Sequence, residues 1–198
     1  MARIVDKEQK RRDIALACKD LVVQKGINSL TVSALAKEAG VGKGTIYDYF
    51  ANKEEIVFEI VNALLEKHDE KFSQEMANEK CTKDKIKKLS EFFYSDGEYE
   101  LREIYKEFTA ISLMSSKGEI LDFQTQNFKK YYEWFEEIIR AGVAKGELIE
   151  DALELSRGLF MVGKGMYFVH NTTTAIDNLQ DELDKFIETI FKIIEVKK

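Results

Sequence analysis

Apolar positions recur at helical spacing along most of the chain. Between Lys7 and Lys25 the residues Ile14, Ala17, Cys18, Leu21 and Val22 follow an i, i+3, i+4, i+7, i+8 rhythm, which predicts a helix with one buried face, closed by Gly26. Cys18 lies on that stripe and reads as a small core residue. Thr31 is placed to cap a second helix over 32–39, with Val32, Leu35 and Ala36 inward and Gly40 ending it. A third short helix, 43–50, follows the tight Gly40-Val41-Gly42 turn. Asn52 opens a fourth with Glu55 in a capping-box position, and the pairs Ile56/Val57, Ile60/Val61 and Leu64/Leu65 make that helix long and broad-faced.

Turn signals at Asp96-Gly97, Ser116-Lys117-Gly118, Lys145-Gly146 and Asn171-Thr172-Thr173-Thr174 divide the rest into helical segments 82–94, 98–115, 119–144, 153–170 and 177–197. In the last, Leu183, Phe186, Ile187, Ile190, Phe191 and Ile194 form a wide apolar seam that requires a partner. Nothing reads as a strand of any length, so the fold class is all-α with about nine helices. The absence of proline from 198 residues agrees, since proline ends helices.

Charge changes this picture from a plain bundle to two parts. The chain carries −6 overall, which taken whole opposes a nucleic-acid partner. Residues 1–53 nevertheless hold ten Lys or Arg against six acids, a net of +4, so the remainder carries −10. A small basic module, 1–53, is therefore expected ahead of a larger acidic one, 54–198. Two separated cysteines exclude a disulfide scaffold and offer no metal-ligand spacing. The N-terminus turns charged at once and no apolar run approaches a membrane span, so no export signal, no membrane and a cytoplasmic location are expected. No nucleophile elbow, phosphate loop or His-Glu metal pattern is present, which argues against an enzyme and against any cofactor.

The helices 31–39 and 43–50 with a three-residue glycine turn have helix-turn-helix dimensions. The second is about 12 Å long, comparable to the major-groove width. Lys43, Thr45, Tyr47 and Asp48 point outward on it, Gly44 admits a close backbone, and Ile46 and Phe50 hold it on its neighbours. The run from Thr31 through Phe50 and on to Asn52-Lys53-Glu54-Glu55 resembles the DNA-binding signature of the tetracycline-repressor (TetR) family of bacterial transcriptional regulators. Gly42 departs from it, standing where members often carry a capping serine.

The resemblance implies a homodimer on a palindromic double-stranded operator, with a second domain that dimerises and binds a small-molecule effector. It places Lys43, Thr45, Tyr47 and Asp48 at base edges or adjacent phosphates, and Thr31, Ser33, Tyr49 and Lys53 on the sugar-phosphate backbone, with Gly44 among the DNA-binding positions. Asp48 either accepts from a cytosine amino group or orients a neighbour. Arg3, Lys7, Lys10, Arg11 and Arg12 form a basic arm that touches DNA or is a solvated charge run.

For the effector, the aromatic supply of the second domain nominates Tyr105, Phe108, Met114, Phe128, Tyr132, Trp134, Phe135 and Tyr167, with His170 as a polar member; core packing is the competing reading of most of these rings. His68 extends the apolar stripe of the fourth helix and has the same two readings, contact or solvated end. The acid excess leans weakly toward a cationic effector. Gly158, Gly163 and Gly165 on one helix, beside the seam at 183–194, nominate 153–170 and 177–197 as the dimer interface. Repression of transcription with release by a largely apolar effector is the expected function; a helical adaptor that binds no DNA is the alternative.

Overall fold

A computed structural model describes residues 7–114 and 118–197. Arg3 and the Ser116-Lys117 turn signal lie outside the described residues. Ten α-helical segments follow in order: α1 (Lys7–Ala17), α2 (Lys19–Lys25), α3 (Val32–Glu38), α4 (Lys43–Tyr49), α5 (Glu54–Asn78), α6 (Thr82–Ser90), α7 (Tyr99–Met114), α8 (Glu119–Ala144), α9 (Ala152–Thr172) and α10 (Leu179–Ile194). The expected first helix is present as α1 and α2, parted by a tighter turn at Cys18, whose N–H bonds to the Ala15 carbonyl three residues back (3.0 Å). Among the described residues there is no strand, only one isolated bridge between Leu148 and Glu195. No helix among them is long and apolar enough to cross a membrane.

The helix ends carry the caps that the sequence signals specify. Thr31 accepts from the Ala34 N–H (3.2 Å) at the start of α3. Gly40, at φ +64°, ends that helix in a Schellman motif, with Val41 N–H on the Ala36 carbonyl (2.9 Å) and Gly40 N–H on that of Lys37 (3.2 Å). Asn52 accepts from the Glu55 N–H (2.9 Å), but the return bond of Glu55 goes to the Ala51 N–H (3.0 Å).

Two compact units result. One comprises the residues up to Phe72 together with α7; the other comprises Ser73–Glu98 and the residues from Gly118 on. The division between the two units falls inside α5, between Phe72 and Ser73. Arg11 and Arg12 explain part of this: Arg11 pairs with Glu59 (2.9 Å) and Glu55 (3.5 Å), and Arg12 with Glu66 (2.6 Å), tying α1 to α5. The core of this unit is mainly aliphatic, with Ile14, Val22, Leu35, Ile46, Ile56, Ile60 and Ile104 essentially sealed beside Phe50 and Phe108.

The second unit is centred on Phe135, Ile139, Phe160, Ile187, Phe191 and Ile194, contributed by α8, α9 and α10. Its α6 is held at the N-terminus by Glu147, which accepts from the backbone N–H (2.8 Å) and hydroxyl (2.7 Å) of Thr82. These bonds hold the Glu147 carboxyl below its ordinary pKa. Gly142 lies against the same residue: a Cβ there would overlap the Thr82 hydroxyl and meet Leu148 at 3.0 Å.

Candidate nucleic-acid interface

The recognition helix α4 has a single fully buried side chain, Ile46, with Phe50 sealed immediately after it. These two anchor it and leave Lys43, Gly44, Tyr47 and Asp48 exposed on one side, with Tyr47 54% accessible. Lys43 Nζ lies 6.0 Å from the Tyr47 ring centroid. Thr31 and Ser33 are exposed at the start of α3, and Thr45 and Tyr49 are half-buried. Gly42 caps α4 with no side-chain bond, so the first amides of the helix have no side-chain cap. A surface of this kind, a cation and an aromatic ring beside a glycine at a helix start, presents hydrogen-bond donors and acceptors to base edges and phosphates.

Two basic residues differ from their sequence reading. The ammonium of Lys53, expected on phosphate, donates here to the carbonyls of Ile27 (2.9 Å), Asn28 (3.2 Å) and Leu30 (3.1 Å). Three donors on three carbonyls make it a clamp on the turn before α3. Arg11 is neither a DNA arm nor a solvated charge; besides its ion pairs it bonds the Tyr49 carbonyl and lies 4.5 Å over the Phe50 ring. Spacing cannot reveal either role, because both partners are distant in sequence.

Residues 14–60 match the profile of bacterial regulatory proteins of the tetR family. Those residues are a TetR-type DNA-binding domain. Members are regulators of transcription, not enzymes, and this chain is a helix-turn-helix transcriptional regulator. Among its relatives, the fatty acid metabolism regulator protein of Bacillus subtilis is 27% identical over 73% of each chain. The regulator QacR of Staphylococcus aureus is 25% identical over 65% of this chain and 68% of its own. A regulator from Saccharomonospora viridis, solved in complex with choline, shares the fold at TM-score 0.78 with 19% identity, covering 96% of this chain and 99% of that one.

The nine effector candidates fall into separate sets. In the first unit, Phe108 is sealed and packs edge-on against Phe58 (5.1 Å), with Tyr105 6.2 Å from Phe108. Met114 is 88% exposed and lines nothing enclosed. In the second unit Phe128, Tyr132 and Phe135 converge on Phe160, at 5.5, 5.8 and 5.7 Å. Phe160 is thus the hub, and helical periodicity could not rank it above Phe168, which is 53% exposed.

Trp134 packs on Tyr131 (5.4 Å) beneath Lys130, and Tyr167 on Phe93 (5.4 Å). The ring of His170 bonds the Ile176 carbonyl through Nδ1 (2.9 Å), closing the turn after α9, while His68 stacks on Phe72 (5.8 Å). The acid excess gives the cationic leaning little support. Glu188 is paired with Lys87 (2.5 Å) and Lys83 (3.6 Å), and the charges over the aromatic cluster are cations, Arg157 on Tyr132 (5.1 Å) and Lys164 on Phe160 (5.6 Å).

Proposed function

We propose that the protein represses transcription in the cytoplasm by binding a palindromic operator as a homodimer, and that a small, largely apolar effector releases it. Residues 1–53 read DNA, with Lys43, Thr45, Tyr47 and Asp48 at base edges or adjacent phosphates, Gly44 admitting a close DNA backbone, and Thr31, Ser33 and Tyr49 on the sugar-phosphate backbone. Residues 54–198 dimerise and bind the effector. The observation that carries the DNA reading is the exposed face of α4, fixed from behind by Ile46 and Phe50.

The homodimer reading rests on α9. Leu155, Met161 and Phe168 are 44, 46 and 53% exposed, and Gly158 and Gly165 have open space where a Cβ would stand. Together they form one apolar stripe with room for a second helix to approach closely. On α10 the inner half of the seam is used within the chain, leaving Ile193 (64% exposed) outside, with Val196 (45%) exposed just beyond the helix.

Effector binding is supported by the ring cluster around Phe160, whose chemistry suits an apolar ligand. One relative holds a ligand with a long apolar chain: the Bacillus subtilis FadR structure contains stearoyl-CoA. The ion pair of Lys19 with Glu100 (2.5 Å) ties α7 to the head, so a shift of α7 changes the head's population of DNA-binding states. Selection of duplexes from a random pool by the full chain tests the reading: enriched sequences should be palindromic, bound steeply salt-dependently by a dimer. Failure to enrich any duplex at low salt would overturn it.

A further inference from the structure

The turn between α2 and α3 poses a hydrogen-bonding problem that its own backbone does not solve. Gly26 ends α2 at φ +70°, with its N–H on the Val22 carbonyl (2.8 Å), and the next amide, that of the fully buried Ile27, points out of the helix. A buried N–H without an acceptor is costly, so a partner must come from elsewhere. It comes from α7: the Ile27 N–H donates to Oε2 of Glu107 (3.0 Å), eighty residues on. The other oxygen fits against Gly26 so closely that a Cβ there would stand 3.1 Å from it. The carbonyls of the same turn are taken by Lys53 of α5. A carboxylate thus holds the donor side of five residues and an ammonium the acceptor side.

Leu30 leads directly into Thr31, the cap of α3, and α3 packs on α4. Wherever this turn sits, the helix-turn-helix follows.

We propose that Glu107 is a positioning residue for operator recognition, setting through the Ile27 N–H where α3 and α4 stand. The proposal rests on the DNA-binding reading above. It has a counter-intuitive sign: removing an acid from a DNA-binding unit ordinarily strengthens binding to phosphate, whereas loss of this carboxylate weakens it.

Three full-length variants separate the causes, assayed on the duplex that the wild-type chain selects, at a temperature well below each melting point and with active fractions fixed by stoichiometric titration. Glu107→Ala removes acceptor and charge and should weaken binding about tenfold or more, the scale of a hydrogen bond to a charged group. Glu107→Asp keeps the charge but shortens the reach, and should weaken binding comparably. Glu107→Gln loses the charge but keeps an acceptor oxygen, and should stay within about threefold of wild type. Hydrogen exchange at the Ile27 amide should rise in the first two variants and not in the third. Wild-type affinity in Glu107→Asp, or equal tightening in Glu107→Ala and Glu107→Gln, overturns the proposal. If Glu107→Ala does not fold, the Asp and Gln pair still decides it. A wild-type chain that selects no duplex would defeat the DNA-binding reading instead, a distinct outcome.

Discussion

The helices α4 and α9 both expose apolar surface, for different reasons. In α4, seven residues long, Tyr47 is exposed because Ile46 and Phe50 use the opposite face as anchor, and its exposed neighbours Lys43 and Asp48 are charged. In α9, twenty-one residues long, Phe160 and Ala152 are buried inward while Leu155, Met161 and Phe168 remain outside, with two glycines at which a Cβ would meet open space. An exposed ring among polar groups suits a polar partner such as a DNA groove. An exposed apolar stripe of small and large residues suits a second helix.

Breaking the second surface should have the largest effect. Aspartate at Met161 and Phe168 places unpaired charge in the proposed interface, and should raise the dimer dissociation constant by roughly a hundredfold or more, read by sedimentation. A variant that sediments as the wild type at every concentration would remove α9 from the interface. The first surface should fail independently: Tyr47→Ala or Lys43→Ala should cost about ten- to a hundredfold in affinity for the selected duplex, with the dimer intact.

Two further changes sharpen the contrast by touching neither surface. Gly142→Ala drives a methyl into Thr82 and Leu148, and should lower unfolding stability by about 1–3 kcal/mol in chemical denaturation without changing DNA affinity once folded. The smallest effect belongs to Glu147. Its folded pKa lies below the ordinary value of 4.5, so its contribution is complete above that pH and is lost as the pH falls through the depressed folded value. Glu147→Gln should therefore flatten the acid limb of the melting-temperature profile, by a small amount since the group is near the surface.

Much of this was readable from residue order. The caps at Thr31 and Asn52, the Gly40 turn and the α7, α8 and α9 boundaries lie within about two residues of their expected places, because caps and glycine turns are local chemistry. The recognition face was equally local, since the outward and inward positions of a seven-residue helix follow from its period. The glycines were not. Gly158, Gly163 and Gly165 drew attention by clustering, yet Gly142 is the glycine that a close helix crossing within the chain requires, and only the approach of α6 reveals it.

The sequence by itself determined an all-helical chain with a helix-turn-helix, and the exposure of Lys43, Gly44, Tyr47 and Asp48 on α4, because helix periodicity and capping are properties of neighbours along the chain. Tertiary structure alone decided the uses of the buried charges and rings. Lys53, Arg11 and Glu107 serve the turn and the helix packing, and Phe160 outranks the other aromatics, since each depends on a partner up to eighty residues away that chain order does not bring near.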